Sequence, residues 1–184
     1  MFTHEILIAG FGGQGVLTAG QLLAYAGNFE GKQVSWVPAY GPEQRGGTAN
    51  CSVMISSEPI ACTLVTEPNL CIVMNQPSLE KFESAVQPGG VLVVNTSLCE
   101  KRATRTDITI INVAATDIAI EIGSQKFANM VALGALLGAS PVVDIEMVLK
   151  AMLKVMGEDK ARFIPANRTA LQRGMENAKA VAHK

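Results

Sequence analysis

Two glycine-rich stretches hold the residue types in this chain that are best suited to ligand binding. The first is the glycine loop, GFGGQG, in which Gly10, Gly12 and Gly15 have the spacing G-x-G-x-x-G. Glycines at this spacing let the backbone turn tightly and approach a ligand, and free amides at the start of a following helix attract phosphate. We expect a phosphate, another anion or the backbone of a partner beside Gly13, Gln14 and their glycine neighbours. Close packing of the helix on the sheet would also explain the glycines.

The second stretch is the polar loop, GPEQRGGTAN, which spans residues 41–50. The planar guanidinium of Arg45 can bond two oxygens of one phosphate or carboxylate at once. A solvated ion pair between Arg45 and Glu43 is the simpler alternative. The remaining candidate binding residues of this loop are Gly46, Gly47, Thr48 and Asn50.

The elements around both loops follow from the apolar pattern. EILIAG (5–10) predicts a central strand, residues 16–29 predict a helix that stops near Gly31, and QVSWVP (33–38) predicts a second strand. A strand–helix–strand unit of about 30 residues has the size of a parallel crossover, and the glycine loop makes it Rossmann-like. Loops that follow the two strands of such a unit meet at the carboxyl edge of the sheet. We therefore expect the glycine loop and the polar loop to lie side by side.

Farther along the chain, CSVMIS and IACTLV on either side of SEP predict a β-hairpin. Apolar runs predict further strands at 70–76, 91–97 and 108–114, and helices at 77–86, within 115–140, at 144–156 and at about 167–182. We predict an α/β fold for residues 1–184. It is a single three-layer α/β/α domain with a mostly parallel, mixed sheet that includes the hairpin.

Composition narrows the possible partners. The net charge of −1 gives no electrostatic basis for binding nucleic acid or an anionic membrane surface. No apolar run reaches the roughly 18–20 residues of a membrane span, and the N-terminus lacks the basic start of a signal peptide. We expect a cytoplasmic protein that binds neither nucleic acid nor a membrane. Its positive mean hydropathy, +0.26, favours a complex that buries additional apolar surface.

The cysteines do not form a metal-binding pattern. Cys51, Cys62, Cys71 and Cys99 include no CxxC pair, and both histidines stand near the chain ends. Zinc and iron–sulfur sites need clustered ligands, so we expect no metal site within this chain. The cysteines are instead expected to be buried, reduced thiols on strands.

An NAD-binding site would need an acidic residue about 20 residues after the glycine loop, at the end of the second strand. Here that strand ends in WVPAYG, and Glu43 falls beyond it. An NAD(P)-dependent oxidoreductase is therefore disfavoured. It remains an alternative, together with a stand-alone Rossmann-like module that binds a nucleotide or coenzyme A.

Over essentially its whole length the chain resembles a known family. GFGGQGVLTAGQLLAYAG followed by AYGPEQRGGTANCSVMIS resembles the gamma subunit of 2-oxoacid:ferredoxin oxidoreductases. The resemblance is to the 2-oxoglutarate and 2-oxoisovalerate types above all, and to the matching domain of single-chain pyruvate:ferredoxin oxidoreductases. The indolepyruvate-type beta subunit shares a GGQG loop and a QRGG-like stretch, but YGPE before Arg45 and TANCSV after it favour the gamma type. Gln44 departs from the methionine that many gamma subunits carry.

This resemblance implies a function that no single residue reveals. Members of the family oxidatively decarboxylate a 2-oxoacid to an acyl-CoA and reduce ferredoxin. Among the possible 2-oxoacids we expect 2-oxoglutarate to be the substrate. The implied cofactors are thiamine diphosphate with Mg²⁺, iron–sulfur clusters and coenzyme A. Alpha and beta subunits, and a delta subunit in some members, hold the thiamine diphosphate and the clusters. This chain lacks the GDG-then-NN motif and clustered cysteines, so it is expected to contain no catalytic residue and to be inactive alone.

By resemblance, the two loops serve the coenzyme or a neighbouring subunit. The glycine loop is expected to line a phosphate or subunit-contact site, and the polar loop to face the channel for the substrate or coenzyme A. The full set of expected cofactor-binding residues is Gly10, Gly12, Gly13, Gln14 and Gly15 in the glycine loop and Glu43, Arg45, Gly46, Gly47, Thr48 and Asn50 in the polar loop.

Overall fold

The structure, a computed structural model, describes residues 1–40 and 47–182. The strands are β1 (Thr3–Phe11), β2 (Gln33–Tyr40), β3 (Thr48–Ser56), β4 (Leu70–Val73), β5 (Val91–Asn95) and β6 (Thr109–Val113). The helices are α1 (Val16–Phe29), α2 (Gln76–Phe82), α3 (Ala115–Ile122), α4 (Ala128–Ala139), α5 (Ile145–Met156) and α6 (Ile164–Ala182). Short 3-10 segments lie at Glu83–Ala85, Gln125–Phe127 and Glu158–Phe163.

The strands form one sheet in the order β2-β3-β1-β4-β5-β6. The neighbours β1, β4, β5 and β6 are parallel, whereas β3 runs antiparallel to β1 on one side and to β2 on the other. The strand β2 therefore has the direction that the parallel crossover predicts, but β3 lies between it and β1. The predicted mixed sheet is confirmed, with β3 as its antiparallel member.

The predicted hairpin between CSVMIS and IACTLV is wrong. Residues 57–69 contain no strand, and Leu64 within them is 72% exposed. Hydrogen bonds already join β3 to β2 on one edge and to β1 on the other, so no edge is free for a following strand. The antiparallel partner next to β3 in sequence is β2 instead, with Tyr40 opposite Ala49.

Helices cover the two faces of the sheet unequally. One face, which carries Ile6, Ile8 and Val53, belongs to a large core that also takes in α1, α3, α4, α5 and α6. The opposite face, which carries Leu7 and Val94, belongs to a smaller core. That smaller core is closed by Leu79 of α2, Val86 and Cys99. The predicted three-layer α/β/α architecture is confirmed, and the layer that contains α2 is thin.

Local signals predict most helices to within a few residues. The helix α1 spans the predicted residues, and Gly31 (φ +75) follows its end. The helix α2 begins earlier than predicted because the side chain of Asn75 caps it, accepting a hydrogen bond from the Ser78 amide at 3.0 Å. Gly123 (φ +129) divides the predicted helical region 115–140 into α3 and α4. No helix in the described part of the chain has the length and apolarity needed to cross a bilayer.

The cysteines differ in their surroundings. Cys51 on β3 and Cys71 on β4 are buried as predicted, and burial raises the pKa of each thiol to about 12. Cys99 is buried but lies in the loop after β5, so its predicted place on a strand is wrong. Cys62 is exposed and lies in no strand, so the prediction for Cys62 is wrong in both respects. Within residues 1–40 and 47–182, no group of three or more His, Cys, Asp or Glu side chains is placed to hold a metal ion.

Two glycines allow α4 and α6 to cross closely. A Cβ on Gly134 of α4 would overlap the carbonyl group of Leu171, and a Cβ on Gly174 of α6 would overlap that of Val131. Backbones approach each other this closely only where side chains are missing. The helix α4 is consequently buried along most of its length, between the sheet and α6.

Replacement of Gly134 by alanine tests this crossing. We expect Gly134→Ala to lower the free energy of unfolding by about 2–3 kcal/mol, because the added methyl group must push a backbone carbonyl aside. Gln172→Ala, on the exposed side of α6, is the control and should change it by less than about 0.5 kcal/mol. Urea denaturation measures both, and equal stability of Gly134→Ala and the parent chain would contradict the close crossing.

Candidate functional site

The glycine loop forms the turn between β1 and α1. Gly13 (φ +98) and Gly15 (φ +74) have backbone conformations that glycine adopts without strain. Gly15 is the capping residue of α1, so no side chain caps the first turn. The first amides of a helix have no partner within it and therefore attract anions. Here the first-turn residues Val16, Leu17 and Thr18 line a cavity of about 540 Å³.

The end of the polar loop lies against the glycine loop. The Gly12 amide donates a hydrogen bond to the carbonyl oxygen of Gly47, at 2.9 Å. Gly47, Thr48 and Ala49 line the same cavity. For residues 47–50, the part of the polar loop that the structure describes, the prediction that the two loops lie side by side is confirmed. The predicted residues that surround this cavity are Gly12, Gly13, Gly15, Gly47 and Thr48.

Other predicted residues lie elsewhere. Gly10 is buried beneath the loop, where a Cβ would lie 2.6 Å from Gln14 Oε1 and 3.0 Å from Met74 Cβ, so its role is close packing. Gln14 is directed toward the end of β4. Asn50 is half-buried opposite Ala9, on the face of the sheet that points away from α1. Glu43, Arg45 and Gly46 lie outside the described residues.

The side chain of Gln14 holds the glycine loop in place. Its Oε1 accepts hydrogen bonds from the Phe11 amide at 2.6 Å and from Asn75 Nδ2 at 2.9 Å, and its Nε2 donates to the Met74 carbonyl oxygen at 3.5 Å. The backbone donor on one side and the backbone acceptor on the other determine which way the amide points. Because Asn75 Oδ1 also accepts from the Ser78 amide, Asn75 ties the glycine loop to the start of α2.

Sequence reasoning missed the asparagines at the carboxyl ends of β4 and β5. Asn75 contacts the glycine loop as described, and Asn95 is completely buried. Asn95 Nδ2 donates to the Met74 carbonyl oxygen at 3.2 Å and to Thr116 Oγ1 at 3.0 Å, which joins β4, β5 and α3. The signal was present, because the apolar runs IVMN and VLVVN each end in asparagine at the edge where parallel strands meet.

Asn129 of α4 supports the loop from another side. Its Nδ2 donates to the Gly15 carbonyl oxygen at 3.1 Å, and a Cβ on Gly15 would come within 2.5 Å of that nitrogen. Gly15 therefore satisfies two requirements, a positive φ and a close contact with α4. No local sequence pattern marks Asn129, because the contact joins residues that are far apart in the chain.

The described lining of this cavity is suited to binding rather than to proton transfer. It contains backbone amides, apolar side chains and the hydroxyl groups of Thr18 and Thr48, and none of its described residues is ionisable. General acid–base catalysis requires a titratable group within hydrogen-bonding distance of the reacting atoms. The geometry therefore fits recognition of an anion by amides and hydroxyl groups.

Substitution of Asn75 tests how the glycine loop is held. Asn75→Asp keeps the oxygen that caps α2 but places a second acceptor against Gln14 Oε1, so the loop should open more often. We expect the Phe11 amide to exchange its hydrogen about tenfold faster, corresponding to about 1.4 kcal/mol, while the α2 amides stay protected. Hydrogen exchange followed by mass spectrometry measures this. Unchanged exchange in the glycine loop would show that Asn75 does not hold it.

Comparison with known sequences identifies relatives of this chain. Residues 5–177 match the family described as pyruvate ferredoxin/flavodoxin oxidoreductase. Ketoisovalerate oxidoreductase subunit VorA of Methanothermobacter marburgensis is 37% identical over 175 residues, which are 95% of this chain and 36% of VorA. The chain thus spans about a third of that relative. The 2-oxoglutarate synthase subunit KorC of Methanocaldococcus jannaschii is 34% identical over an alignment of 178 positions that covers 95% of this chain and 94% of KorC.

Solved structures have the same fold. The keto/oxoacid ferredoxin oxidoreductase gamma subunit from Geobacter sulfurreducens PCA superposes with a TM-score of 0.81 and 32% identity, covering 96% of this chain and 99% of that one. The 2-oxoglutarate:ferredoxin oxidoreductase of Magnetococcus marinus, with 2-oxoglutarate, coenzyme A and succinyl-CoA bound, superposes with a TM-score of 0.87 and 24% identity. The superposition covers 98% of this chain and 32% of that one. None of the three relatives above 30% identity supports a stand-alone nucleotide-binding module or an NAD(P)-dependent oxidoreductase. The chain belongs to the pyruvate ferredoxin/flavodoxin oxidoreductase family and is of its gamma-subunit type.

Proposed function

We propose that this chain acts as the gamma subunit of a multi-subunit 2-oxoacid:ferredoxin oxidoreductase. The complex oxidatively decarboxylates a 2-oxoacid, transfers the acyl group to coenzyme A and passes the electrons to ferredoxin. The observation that carries the proposal is the hydrogen bond of 2.9 Å between the Gly12 amide and the Gly47 carbonyl oxygen. It joins the two loops that mark the family around one cavity.

In this complex the cavity binds a phosphate group of coenzyme A. The uncapped first turn of α1 supplies amides, and Thr18 and Thr48 supply hydroxyl groups. Arg45, in the segment outside the described residues, adds a guanidinium for a phosphate or for the carboxylate of the 2-oxoacid. Glu43 and Gly46 belong to the same part of the loop. The Magnetococcus marinus enzyme, which shares the fold, contains bound coenzyme A.

Partner subunits supply the chemistry. Alpha and beta subunits hold thiamine diphosphate and Mg²⁺, and the iron–sulfur clusters reside in the beta subunit or in a delta subunit. The domain occurs as part of larger chains in relatives, since it spans 36% of VorA and 32% of the Magnetococcus marinus chain. Within the complex the chain helps to bind the substrate or coenzyme A, and it is inactive without its partner subunits.

The preferred substrate is 2-oxoglutarate. Support comes from KorC of Methanocaldococcus jannaschii, a 2-oxoglutarate synthase subunit that matches this chain over 94% of its length. VorA makes a branched-chain 2-oxoacid the main competing substrate. Because partner subunits contribute to the substrate site, the assay compares several 2-oxoacids.

Anaerobic affinity purification of the chain from its own host tests the proposed function. We expect alpha- and beta-type subunits to co-purify and the complex to reduce a viologen dye with 2-oxoglutarate and coenzyme A. Omission of coenzyme A is the control and should stop sustained turnover. A chain that is recovered without such subunits and without activity on any 2-oxoacid would contradict the proposal.

Substitution of two glycines tests the coenzyme site. Gly13 (φ +98) and Gly31 (φ +75) both lack neighbours within 4 Å of an added Cβ, so alanine at either costs a similar backbone strain of about 1–2 kcal/mol. Only Gly13 lines the cavity. In the complex, Gly13→Ala should raise the KM for coenzyme A about tenfold, equivalent to about 1.4 kcal/mol, whereas Gly31→Ala leaves it unchanged. Equal KM values for coenzyme A in the two variants would show that Gly13 does not contribute to the coenzyme A site.

A further inference from the structure

A separate cavity of about 460 Å³ lies within the large helical layer. We call it the helical cavity. Its walls come from α1, α4, α5 and α6 and from the 3-10 segments Gln125–Phe127 and Glu158–Phe163. None of its described lining residues belongs to the glycine loop or the polar loop. The apolar residues that line it are Leu22, Phe127, Met130, Met152, Met156 and Phe163.

The floor of the helical cavity is buried and its rim is exposed. Leu22, Met130 and Met152 are at most 3% exposed, whereas Met156 and Phe163 are 40% and 38% exposed. The cavity therefore reaches the surface beside Met156 and Phe163. Methionine side chains adapt to the shape of what they contact and pack favourably on aromatic rings. A buried apolar floor with an exposed apolar rim is the form of a recess that takes up an anchoring side chain at a protein interface.

The wall of the helical cavity contains an unpaired acceptor. Asn167 of α6 lines the cavity and is only 5% exposed. Its Nδ2 donates to the Phe163 carbonyl oxygen at 2.8 Å, which determines the orientation of the amide. Its Oδ1 accepts no hydrogen bond from the described part of the chain and, unlike Asn129 Oδ1, is not closed off from the surrounding space. Buried acceptors are normally paired, so the occupant should carry a hydrogen-bond donor.

The polar rim of the helical cavity is positively charged. Lys126 lines the cavity, and no described carboxylate lies within 4.0 Å of its ammonium group. Lys160 also lines it and forms an exposed ion pair of 3.4 Å with Asp159. The described lining contains no acidic residue. By charge complementarity, the surface that covers this rim should carry carboxylates.

We propose that the helical cavity receives a tryptophan side chain of a neighbouring subunit in the complex. The indole N–H donates to Asn167 Oδ1, and acidic residues beside this tryptophan face Lys126 and Lys160. Tryptophan combines a large apolar surface with a single donor and no acceptor, and it is enriched among the residues that dominate interface energies. The inference rests on the proposed function, which gives the chain partner subunits, and it adds a docking point outside both glycine-rich loops.

Filling the helical cavity in advance tests the docking point. Met156→Trp places an indole at the rim and should raise the dissociation constant between the full chain and its purified partner subunits about tenfold. Leu153→Trp is the matched control, because Leu153 is 38% exposed on the same helix and does not line the cavity. Isothermal titration calorimetry measures both constants, and thermal unfolding checks that both variants are folded. Equal constants for the two folded variants would overturn the docking point.

Chemical crosslinking of the assembled complex identifies the occupant. A carbodiimide joins an amine to a carboxylate in direct contact, so Lys126 or Lys160 should become linked to an acidic residue of a partner subunit. Mass spectrometry should place a tryptophan in the linked partner segment, and alanine in place of that tryptophan should weaken assembly about tenfold. Lys154, an exposed lysine of α5 that does not line the cavity, is the control and should form no such link.

The inference and the proposed function fail in different ways. A link from Lys126 and Lys160 only to segments without tryptophan, or no link at all, would overturn the inference while the complex still oxidises its 2-oxoacid. An assembled complex that oxidises no 2-oxoacid would instead overturn the proposed function.

Discussion

The direction of β3 is the constraint on which the site depends. Hydrogen bonds hold this strand on both edges, against β1 along its whole length and against β2 from Ser56 to Ala49. Because β3 runs antiparallel to both, it begins at the edge of the sheet where β1 and β2 end, and Gly47 meets Gly12 there. A third strand parallel to β1 would begin at the opposite edge. Gly47, at the end of the polar loop, would then lie at that opposite edge and could not bond to Gly12.

The large helical layer contacts the glycine loop through α4. The helix α4 is fixed between the sheet and α6 through the close approach at Gly134, and the same helix presents Asn129 to Gly15. The loop therefore rests on one of the most deeply buried helices of the domain. On the other side, Asn75 links the loop to α2 in the thin layer. The glycine loop is thus contacted by side chains from both helical layers at the edge of the sheet.

The parts of the structure that depend on local sequence could be predicted. The helix α1 has its predicted bounds because an apolar pattern and Gly31 define them, and the two loops were recognisable from their glycines. Strand pairing is not local, so the local pattern predicts a hairpin with IACTLV although β1 and β2 occupy both edges of β3. The contact of Asn129 with Gly15 spans most of the chain and leaves no local pattern. The chemistry of its guanidinium predicts a binding role for Arg45, which lies outside the described residues.

The hydrogen bonds of Gln14 have a consequence for the thermodynamics of binding. A glycine-rich loop ordinarily loses conformational entropy when a ligand orders it, and this loss weakens the affinity. Here the loop is already ordered by the Phe11 amide, by Asn75 and by the Met74 carbonyl group before any ligand arrives. That entropy is lost during folding of the domain. The loop is preorganised, so binding of the proposed coenzyme A phosphate would cost little further ordering of the loop.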